Sequence, residues 1–212
     1  MAKSSKKTSP DFRRIFNYIA ETGMLMQMAR SHKRHLGTTF DTVSSHSHHV
    51  AIIAYCLARL EGLTHQQGLE SMAMGVLHDN AEARTNDLDF LAKHYASTNE
   101  EKAINDQLKD LPFSDDLKKL IHEYEQRESL TAKCAKDADT IDQLYQQWMM
   151  MYQGNKMAER WHLENYQTRV PYLRTESAKQ LAYAMIESHP HEWWFNDVNG
   201  DKLNLDLLNG KK

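Results

Sequence analysis

Apolar residues recur every three or four positions along most of this chain, which is the spacing of amphipathic helices. The first such stretch begins at Phe12 and ends in a methionine-rich run at Met28. Residues 80–97 have a mixed pattern. The segments predicted to be helical are 12–28, 47–60, 64–77, 99–108, 114–124, 130–152 and 175–188.

Local signals mark where several of these helices begin or end. Gly62 follows the second segment and is predicted to be its C′ residue. Thr64, with Gln67 three residues later, has the pattern of a capping box. Pro112 interrupts the chain, and Ser114 is predicted to cap the helix that follows.

The segment from Arg30 to Thr42, RSHKRHLGTTFDT, loses the helical period. It contains Gly37, three threonines, two histidines and several basic residues. Such a composition is typical of a loop, and loops on a rigid scaffold often carry ligand-binding residues. We therefore predict a loop that faces a ligand.

Composition agrees with a helical protein. The 212 residues include only 8 Gly and 4 Pro but 11 Met, so turn-forming residues are scarce and a β-sandwich or barrel is unfavourable. The predicted fold is all-α, a compact bundle of several helices forming one domain over residues 11–196. Residues 1–10 are predicted to be a mobile lead and 197–212 a C-terminal tail, with Trp193, Trp194 and Phe195 packing back on the body.

Charge and hydropathy exclude several classes of partner. The net charge is −3, from 26 Lys plus Arg and 29 Asp plus Glu, so no broad cationic surface is expected for nucleic acid. The sequence contains no run of 18 apolar residues and no signal-peptide pattern, which predicts a cytoplasmic protein without a membrane partner. Cys56 and Cys134 stand alone among apolar neighbours and are predicted to be buried, reduced thiols.

Candidate metal ligands occur in three separate places. His46 precedes the second predicted helix, His78 and Asp79 end the third, and aspartates on the long helix follow about sixty residues later. Glu82 lies four residues after His78, so on a helix it shares the face of that pair. A carboxylate beside a metal is a candidate for moving the proton of a water.

Three segments, in their order, resemble the HD-domain phosphohydrolase superfamily and in particular its 5′-deoxynucleotidase branch. They are HSHHVAIIAYCLA, GVLHDNAEARTNDLDFLAKHY and AKDADTIDQL. The resemblance covers roughly Ile19 to Leu144. It implies one divalent ion, which could be Mn, Co, Fe, Ni, Zn or Mg because the ligands include no sulfur. The metal ligands implied are His46, His78, Asp79 and Asp139.

The resemblance also implies roles for four other residues. Glu82 matches the general acid/base group and Asp87 the second carboxylate near the leaving group. Arg30 matches a loop arginine that holds phosphate, and Lys93 matches a basic residue that follows the threonine-x-aspartate turn. Lys33 and its neighbour Arg34 could replace Arg30.

Two positions depart from the pattern of this branch. Ser45 stands where the branch has glutamate before its first ligand histidine, which removes a carboxylate near the site. Asn86 stands where the branch has glycine, and asparagine tolerates the positive φ that such a turn can require.

Other choices of ligand remain open from the sequence. His48 and His49 compete with His46, because the HSHH run allows a slip along the helix. Asp137 is predicted to be solvated on a polar face. Asp142 lies one turn after Asp139 and could contribute behind the ligands.

The function predicted is a metal-dependent phosphohydrolase that removes phosphate from deoxynucleoside 5′-monophosphates by attack of a metal-bound water. The alternatives are a deoxynucleoside triphosphate triphosphohydrolase or a hydrolase of an alarmone or cyclic nucleotide, since the basic loop would suit more phosphate. A nucleotide-sensing module without turnover is a third reading. The resemblance further implies a homodimer or larger homo-oligomer.

Overall fold

Helices account for nearly all of the regular structure in a computed structural model that describes residues 10–37 and 41–194. The all-α prediction is confirmed, since within these ranges the β-type pairing is limited to one bridge between Ala29 and Thr42. The helices are α1 (Phe12–Gly23), α2 (Lys33–Leu36), α3 (Val43–Leu60), α4 (His65–Leu77), α5 (Glu82–Thr85), α6 (Phe90–Tyr95), α7 (Glu100–Leu108), α8 (Ser114–Gln126), α9 (Leu130–Tyr152), α10 (Lys156–Arg169) and α11 (Glu176–Glu187).

The core forms where α3, α4 and α9 pack on one another. Val50, Leu57, Met74 and Leu144 are fully buried there. Gly75 allows α4 to approach α3 closely, because a Cβ at this position would lie 2.9 Å from the Cα of Ala51. Close packing of these three helices fixes the relative positions of the residues at their ends.

Several predicted boundaries are confirmed and others are wrong. Thr64 and Gln67 form the expected capping box, and Gly62 has a φ of 80°. The second predicted helix, α3, begins at Val43 rather than Ser47, because Thr42 makes a capping box with Ser45. Ser114 is the first residue of α8 and does not cap it.

Helix α10 was not predicted from the sequence. Its buried residues are Ala158, His162 and Tyr166, which repeat every four positions but include only one strongly apolar type. The short helix α2 also lies within the segment predicted to be a loop. Neither helix is marked by a repeat of large apolar residues, because α2 has only four residues and α10 buries alanine, histidine and tyrosine.

The chain ends only partly match the expectations. On α1, Phe12 and Phe16 are exposed, while Ile15 and Tyr18 pack beside Leu108. In the predicted aromatic tail, Trp193 is 73% exposed, so the prediction that it packs on the body is wrong. Trp194 is 37% exposed. Phe195 lies outside the described residues.

Residues 1–9 of the predicted lead and all of the tail 197–212 lie outside the described residues as well. None of the helices within 10–37 and 41–194 combines the length and the apolar character needed to cross a bilayer.

The two cysteines differ in exposure. Cys134 is buried in α9, and burial raises the pKa of its thiol to about 12. Cys56 is exposed on α3, so the prediction that both thiols are buried is wrong for Cys56. It lies between the buried stripe positions Ala54 and Leu57 and faces outward.

Candidate metal centre

The start of α3, the end of α4 and the middle of α9 bring four predicted ligands together. His46 lies in the first turn of α3, His78 is the C-terminal capping residue of α4, and Asp139 lies in α9. Ligand atoms of these three residues all lie within 4.8 Å of one another, a group that could hold a metal ion. Asp79 Oδ2 lies 3.4 Å from His46 Nε2 and 3.1 Å from His78 Nε2.

Hydrogen bonds behind the two imidazoles fix which nitrogen faces the cluster. His46 Nδ1 lies 2.5 Å from Asp142 Oδ2, and His78 Nδ1 lies 2.9 Å from the carbonyl oxygen of Gly75. Since carboxylates and carbonyls accept, both Nδ1 atoms donate, so each ring in its neutral form carries its lone pair on Nε2. The two Nε2 atoms are only 3.3 Å apart, an arrangement that favours a cation between them.

The local charge also favours a cation. Burial lowers the pKa of His46, but the hydrogen bonds that its ring donates to Asp139 and Asp142 outweigh burial and raise the pKa to about 9. A positive charge, whether a proton or a metal ion, is therefore stabilised at the cluster. The set of imidazole and carboxylate donors without sulfur fits a divalent ion.

Asp139 presents one oxygen to the cluster and anchors the other. Its Oδ1 lies 3.4 Å from His46 Nε2, whereas its Oδ2 accepts from Lys136 Nζ at 2.7 Å and from the Tyr124 hydroxyl at 3.4 Å. Although burial opposes ionisation, His46 and Lys136 hold the pKa of Asp139 well below its usual range. The sequence prediction did not include Lys136 or Tyr124.

The loop before α3 places Arg30 against the cluster. The bridge between Ala29 and Thr42 closes the base of this loop. Arg30 Nη1 lies 3.1 Å from Asp79 Oδ2 and 3.3 Å from Asp87 Oδ2. Despite the cost of burial, these carboxylates raise the pKa of Arg30 above its ordinary value.

Asp87 is held chiefly by the residue after Arg30. It accepts hydrogen bonds from the Ser31 backbone N–H at 2.8 Å and from the Ser31 hydroxyl at 3.0 Å. Just before it, Asn86 has a φ of 64°, which confirms that this turn needs the positive φ anticipated there. Asp87 therefore ties the Arg30 loop to the chain that follows α5.

Glu82 has a buried oxygen without a hydrogen bond. Its Oε2 is inaccessible and lacks a partner within the described ranges. Burial and then the nearby charges of Asp79 and Asp87 raise the pKa of Glu82 to about 9. Burial and these charges favour the protonated form, and a carboxyl group in this position can exchange a proton with a ligand in the site.

The cluster opens into a cavity of about 410 Å³, within the range of roughly 300–1,000 Å³ that is usual for small-molecule sites. Arg30, Asp87 and Asp139 line one part of it, and Lys93 reaches it from α6. Lys93 is exposed, and its ammonium group makes no hydrogen bond within the described residues, whereas its backbone N–H donates to the Asp89 carbonyl at 2.9 Å. All eight predicted site residues thus lie at the cluster or around its cavity.

The competing ligand choices are not brought into the cluster. His48 is exposed, and His49 instead places Nδ1 2.5 Å from Asp142 Oδ1, behind His46. The prediction that Asp137 is solvated is wrong, because Asp137 is 3% exposed and accepts hydrogen bonds from the backbone N–H groups of Arg174 and Thr175. Lys33 is exposed away from the cavity, so Arg30 alone of the loop cations contacts the cluster carboxylates.

Comparison with known proteins identifies the class. The HD domain family matches residues 22–181, about three quarters of the sequence, so this chain belongs to the HD domain family. A search of curated proteins finds no match. The 5′-deoxynucleotidase branch is a finer assignment than this family match provides.

Solved structures share the fold over most of the chain. The protein called genomics APC5600 is 26% identical, with a TM-score of 0.67, and the match covers 85% of this chain and 99% of that one. A conserved hypothetical protein from Pyrococcus furiosus is 20% identical, with a TM-score of 0.65 and coverage of 82% and 99%. A predicted metal-dependent phosphohydrolase from Magnetospirillum magnetotacticum MS-1 is 19% identical, with a TM-score of 0.62 and coverage of 83% and 91%.

Proposed function

We propose that this protein is a metal-dependent phosphohydrolase that releases phosphate from deoxynucleoside 5′-monophosphates. The observation that carries the proposal is the convergence of His46, His78, Asp79 and Asp139 beside a cavity that Asp139 and Arg30 line. Membership of the HD domain family supports it, and so does the description of the Magnetospirillum protein, which shares this fold.

The four ligands would hold one divalent ion. Such an ion supplies Lewis acidity, which polarises a phosphoryl oxygen and lowers the pKa of a water. His46 and His78 would contribute Nε2, because their Nδ1 atoms are engaged by Asp142 and Gly75. The protein thereby fixes ring orientation before any ligand arrives.

The remaining residues bind phosphate and move the proton. Arg30 uses Nη1 for Asp79 and Asp87 and retains other N–H donors that can bind phosphate oxygens. Lys93, on the cavity wall, adds a second positive charge. Glu82 Oε2, buried and without a partner, is placed to hold the proton that is exchanged during hydrolysis.

Asp87 has a different role in this proposal from the one that the family resemblance implies. Both of its oxygens accept from Ser31, and one also contacts Arg30. Because these contacts join Asp87 to the loop that carries Arg30, Asp87 would position the phosphate-binding loop.

Charge pairing in the basic loop favours a monophosphate over a triphosphate. His32 lies 3.2 Å from Asp41, and both Arg34 and His35 lie 3.3 Å from Asp89. The negative charges of Asp41 and Asp89 therefore offset the positive charge of this loop, which contributes little net charge to the cavity. Arg30 is shared with Asp79 and Asp87, so the cavity cations without an acidic partner among the described residues are Lys93 and Arg169, and a triphosphate would need more of them.

The test is product analysis with a panel of deoxynucleoside mono-, di- and triphosphates in the presence of Mn, Co, Ni, Zn, Fe or Mg. We expect orthophosphate and nucleoside from the monophosphates. Glu82→Gln should lower kcat by about 100-fold or more, in the usual range for general acid–base groups. Glu101→Gln, an exposed change of the same type on α7, should leave kcat unchanged.

Two outcomes would contradict the proposal. Release of triphosphate from the deoxynucleoside triphosphates would show that the enzyme is a triphosphohydrolase and not a 5′-nucleotidase. Equal activity of the parent protein and Glu82→Gln, or nucleotide binding without turnover at any of these metals, would remove the hydrolytic mechanism.

A further inference from the structure

The cavity beside the metal cluster extends along the contact between α9 and α10. Arg169 Nη1 donates to Gln143 Oε1 at 2.8 Å, and Asn165 Nδ2 donates to Gln147 Oε1 at 2.9 Å. Residue numbers rise on α9 as they fall on α10, so the helices are antiparallel. The N-terminal half of α10, with Trp161, therefore lies at the end of the cavity farthest along α9 from Asp139.

That far end is lined by aromatic rings. The ring centroid of His35 lies 5.5 Å from that of Phe90 and 5.6 Å from that of Trp161. Phe90 and Trp161 are 6.1 Å apart and nearly perpendicular. The three rings come from α2, α6 and α10, and all of them line the same cavity as Asp139.

Trp161 is supported from behind. It packs against the small buried cluster of Leu36, Met150 and Ala158. Asn155 Nδ2 donates to the Leu36 carbonyl at 2.7 Å, which ties α10 to the end of α2. The ring wall is thus a fixed part of the fold, and a ligand that stacks on it need not order these side chains first.

Polar side chains of α9 line the cavity between the metal cluster and the aromatic rings. Asp139, Asp142, Gln143 and Gln146 follow the i, i+3, i+4, i+7 spacing of one helix face. Asp139 and Gln146 are therefore separated by about 10 Å along the helix axis. Gln146 lines the cavity, and its side-chain amide has no hydrogen-bond partner among the residues described.

We propose that the wall formed by Trp161, His35 and Phe90 binds the nucleobase of the substrate, with Trp161 as the main stacking surface and Gln146 facing the base edge. This inference rests on the proposed function, because it assumes that the phosphate lies near Arg30 and Asp139. A planar ring with hydrogen-bonding edges matches the aromatic wall and the free amide, whereas an alkyl chain would leave Gln146 unpaired.

The decisive comparison is between substrates with and without a base. The KM of Trp161→Leu for a deoxynucleoside 5′-monophosphate should rise about ten-fold or more, the usual effect of losing one base–aromatic stack. Its KM for deoxyribose 5-phosphate should remain unchanged. Leucine retains apolar contact with Leu36 and Met150, and Trp161→Phe, which keeps a ring, should recover most of the affinity for the nucleotide.

Further variants sharpen the assignment. Trp193→Leu, on a ring exposed in a different cavity, should alter neither KM. Gln146→Ala should change the ratio of KM values among the four bases and leave deoxyribose 5-phosphate unaffected. Circular dichroism of each variant checks that the helices are intact.

Binding measurements separate this inference from the proposed function. Calorimetric titration of a deoxynucleoside 5′-monophosphate into the metal-free protein should give a Kd that Trp161→Leu weakens about ten-fold, even if no phosphate ester is hydrolysed. Equal Kd and KM values for the parent protein and Trp161→Leu would overturn the inference. An equal loss with nucleotide and deoxyribose 5-phosphate would also overturn it, while leaving hydrolysis itself in place.

Discussion

His46 and Asp142, 96 positions apart in the sequence, are joined by a hydrogen bond of 2.5 Å between Nδ1 and Oδ2. Both side chains are 1% exposed. The second oxygen of Asp142 lies 2.5 Å from His49 Nδ1, so one carboxylate serves two imidazoles of the same helix. This contact, and not the ligand set alone, determines how His46 presents its Nε2 to the cluster.

Replacing Asp142 should weaken metal binding although it is not itself a ligand. In Asp142→Ala, His46 loses its acceptor and the ring can rotate or change tautomer. Affinity for Mn or Zn should fall about 10- to 100-fold, the usual range for such supporting groups. Calorimetric titration of the metal-free protein measures this change.

A matched variant controls for the loss of one negative charge. Asp116→Ala removes an exposed carboxylate from the first turn of α8 and should leave metal affinity unchanged. Unaltered affinity in Asp142→Ala would show that packing alone holds His46 in place.

The contact between α3 and α4 should be equally sensitive. In Gly75→Ala, the new Cβ would lie 2.9 Å from Ala51 Cα and 3.0 Å from Ala51 N, where backbone must move. Overpacking of this kind costs about 1–3 kcal/mol. Because His46 and His78 lie on the separated helices, metal affinity should fall as well.

Urea unfolding and a metal titration on the same samples test both effects. Gly23→Ala is the control, because a Cβ there meets nothing within 4 Å. That change should be neutral or slightly stabilising in a helical backbone. A Gly75→Ala protein as stable as the parent would mean that the two helices can separate without cost.

Much of the fold could be predicted because most helices bury an apolar stripe on one face. The stripe that runs from Leu130 through Ile141 to Trp148 predicts a helix over 130–152, which agrees with α9. The apolar period does not predict helix α10, because His162 and Ala158 occupy its buried face, where larger apolar residues are usual. The earlier start of α3 depended on a serine, Ser45, acting as the third residue of a capping box.

The residues of the candidate site could be chosen from their types and spacing, but their partners could not. Nothing in the sequence links His49 to Asp142 or Tyr124 to Asp139, since these contacts depend on helix packing. The burial of Asp137, which the sequence predicts to be solvated, depends on helix packing in the same way. Asp137 follows Lys136 on a helix that looks polar there, yet it meets the start of α11 in three dimensions.

Asp137 should therefore contribute to stability. Thr175 makes no side-chain capping bond at the start of α11, and the Asp137 carboxylate accepts from its backbone N–H and its hydroxyl, each at 2.8 Å. Asp137→Ala leaves these donors and that of Arg174 unpaired. Loss of such charged hydrogen bonds should lower the free energy of unfolding by about 2–3 kcal/mol.

Equilibrium urea denaturation followed by circular dichroism measures this loss. Glu128→Ala, at an exposed position between α8 and α9, serves as the comparison, and a surface change of that kind should stay within about 0.5 kcal/mol of the parent. If Asp137→Ala did the same, water rather than the carboxylate would satisfy the start of α11.

Glu61 should add a pH-dependent share of stability. Its Oε1 accepts from the Ser177 hydroxyl at 2.6 Å and from the Ser177 backbone N–H at 2.8 Å, which joins the end of α3 to the start of α11. These two bonds, the hydroxyl first, lower the pKa of Glu61 below its ordinary value of 4.5. A folded-state pKa below the unfolded value means that ionised Glu61 stabilises the fold above about pH 4.5, and that this contribution is lost as the pH falls through the folded-state pKa.

Glu61→Gln should consequently be less stable than the parent at neutral pH, by about 1 kcal/mol or less because the group is partly exposed to solvent. The difference should shrink as unfolding is repeated at progressively lower pH, since protonation removes the same charge from the parent. Glu128→Gln, an exposed glutamate between α8 and α9, should show no such convergence. A difference between Glu61→Gln and the parent that stays constant from neutral to acidic pH would assign the effect of Glu61 to packing and not to its charge.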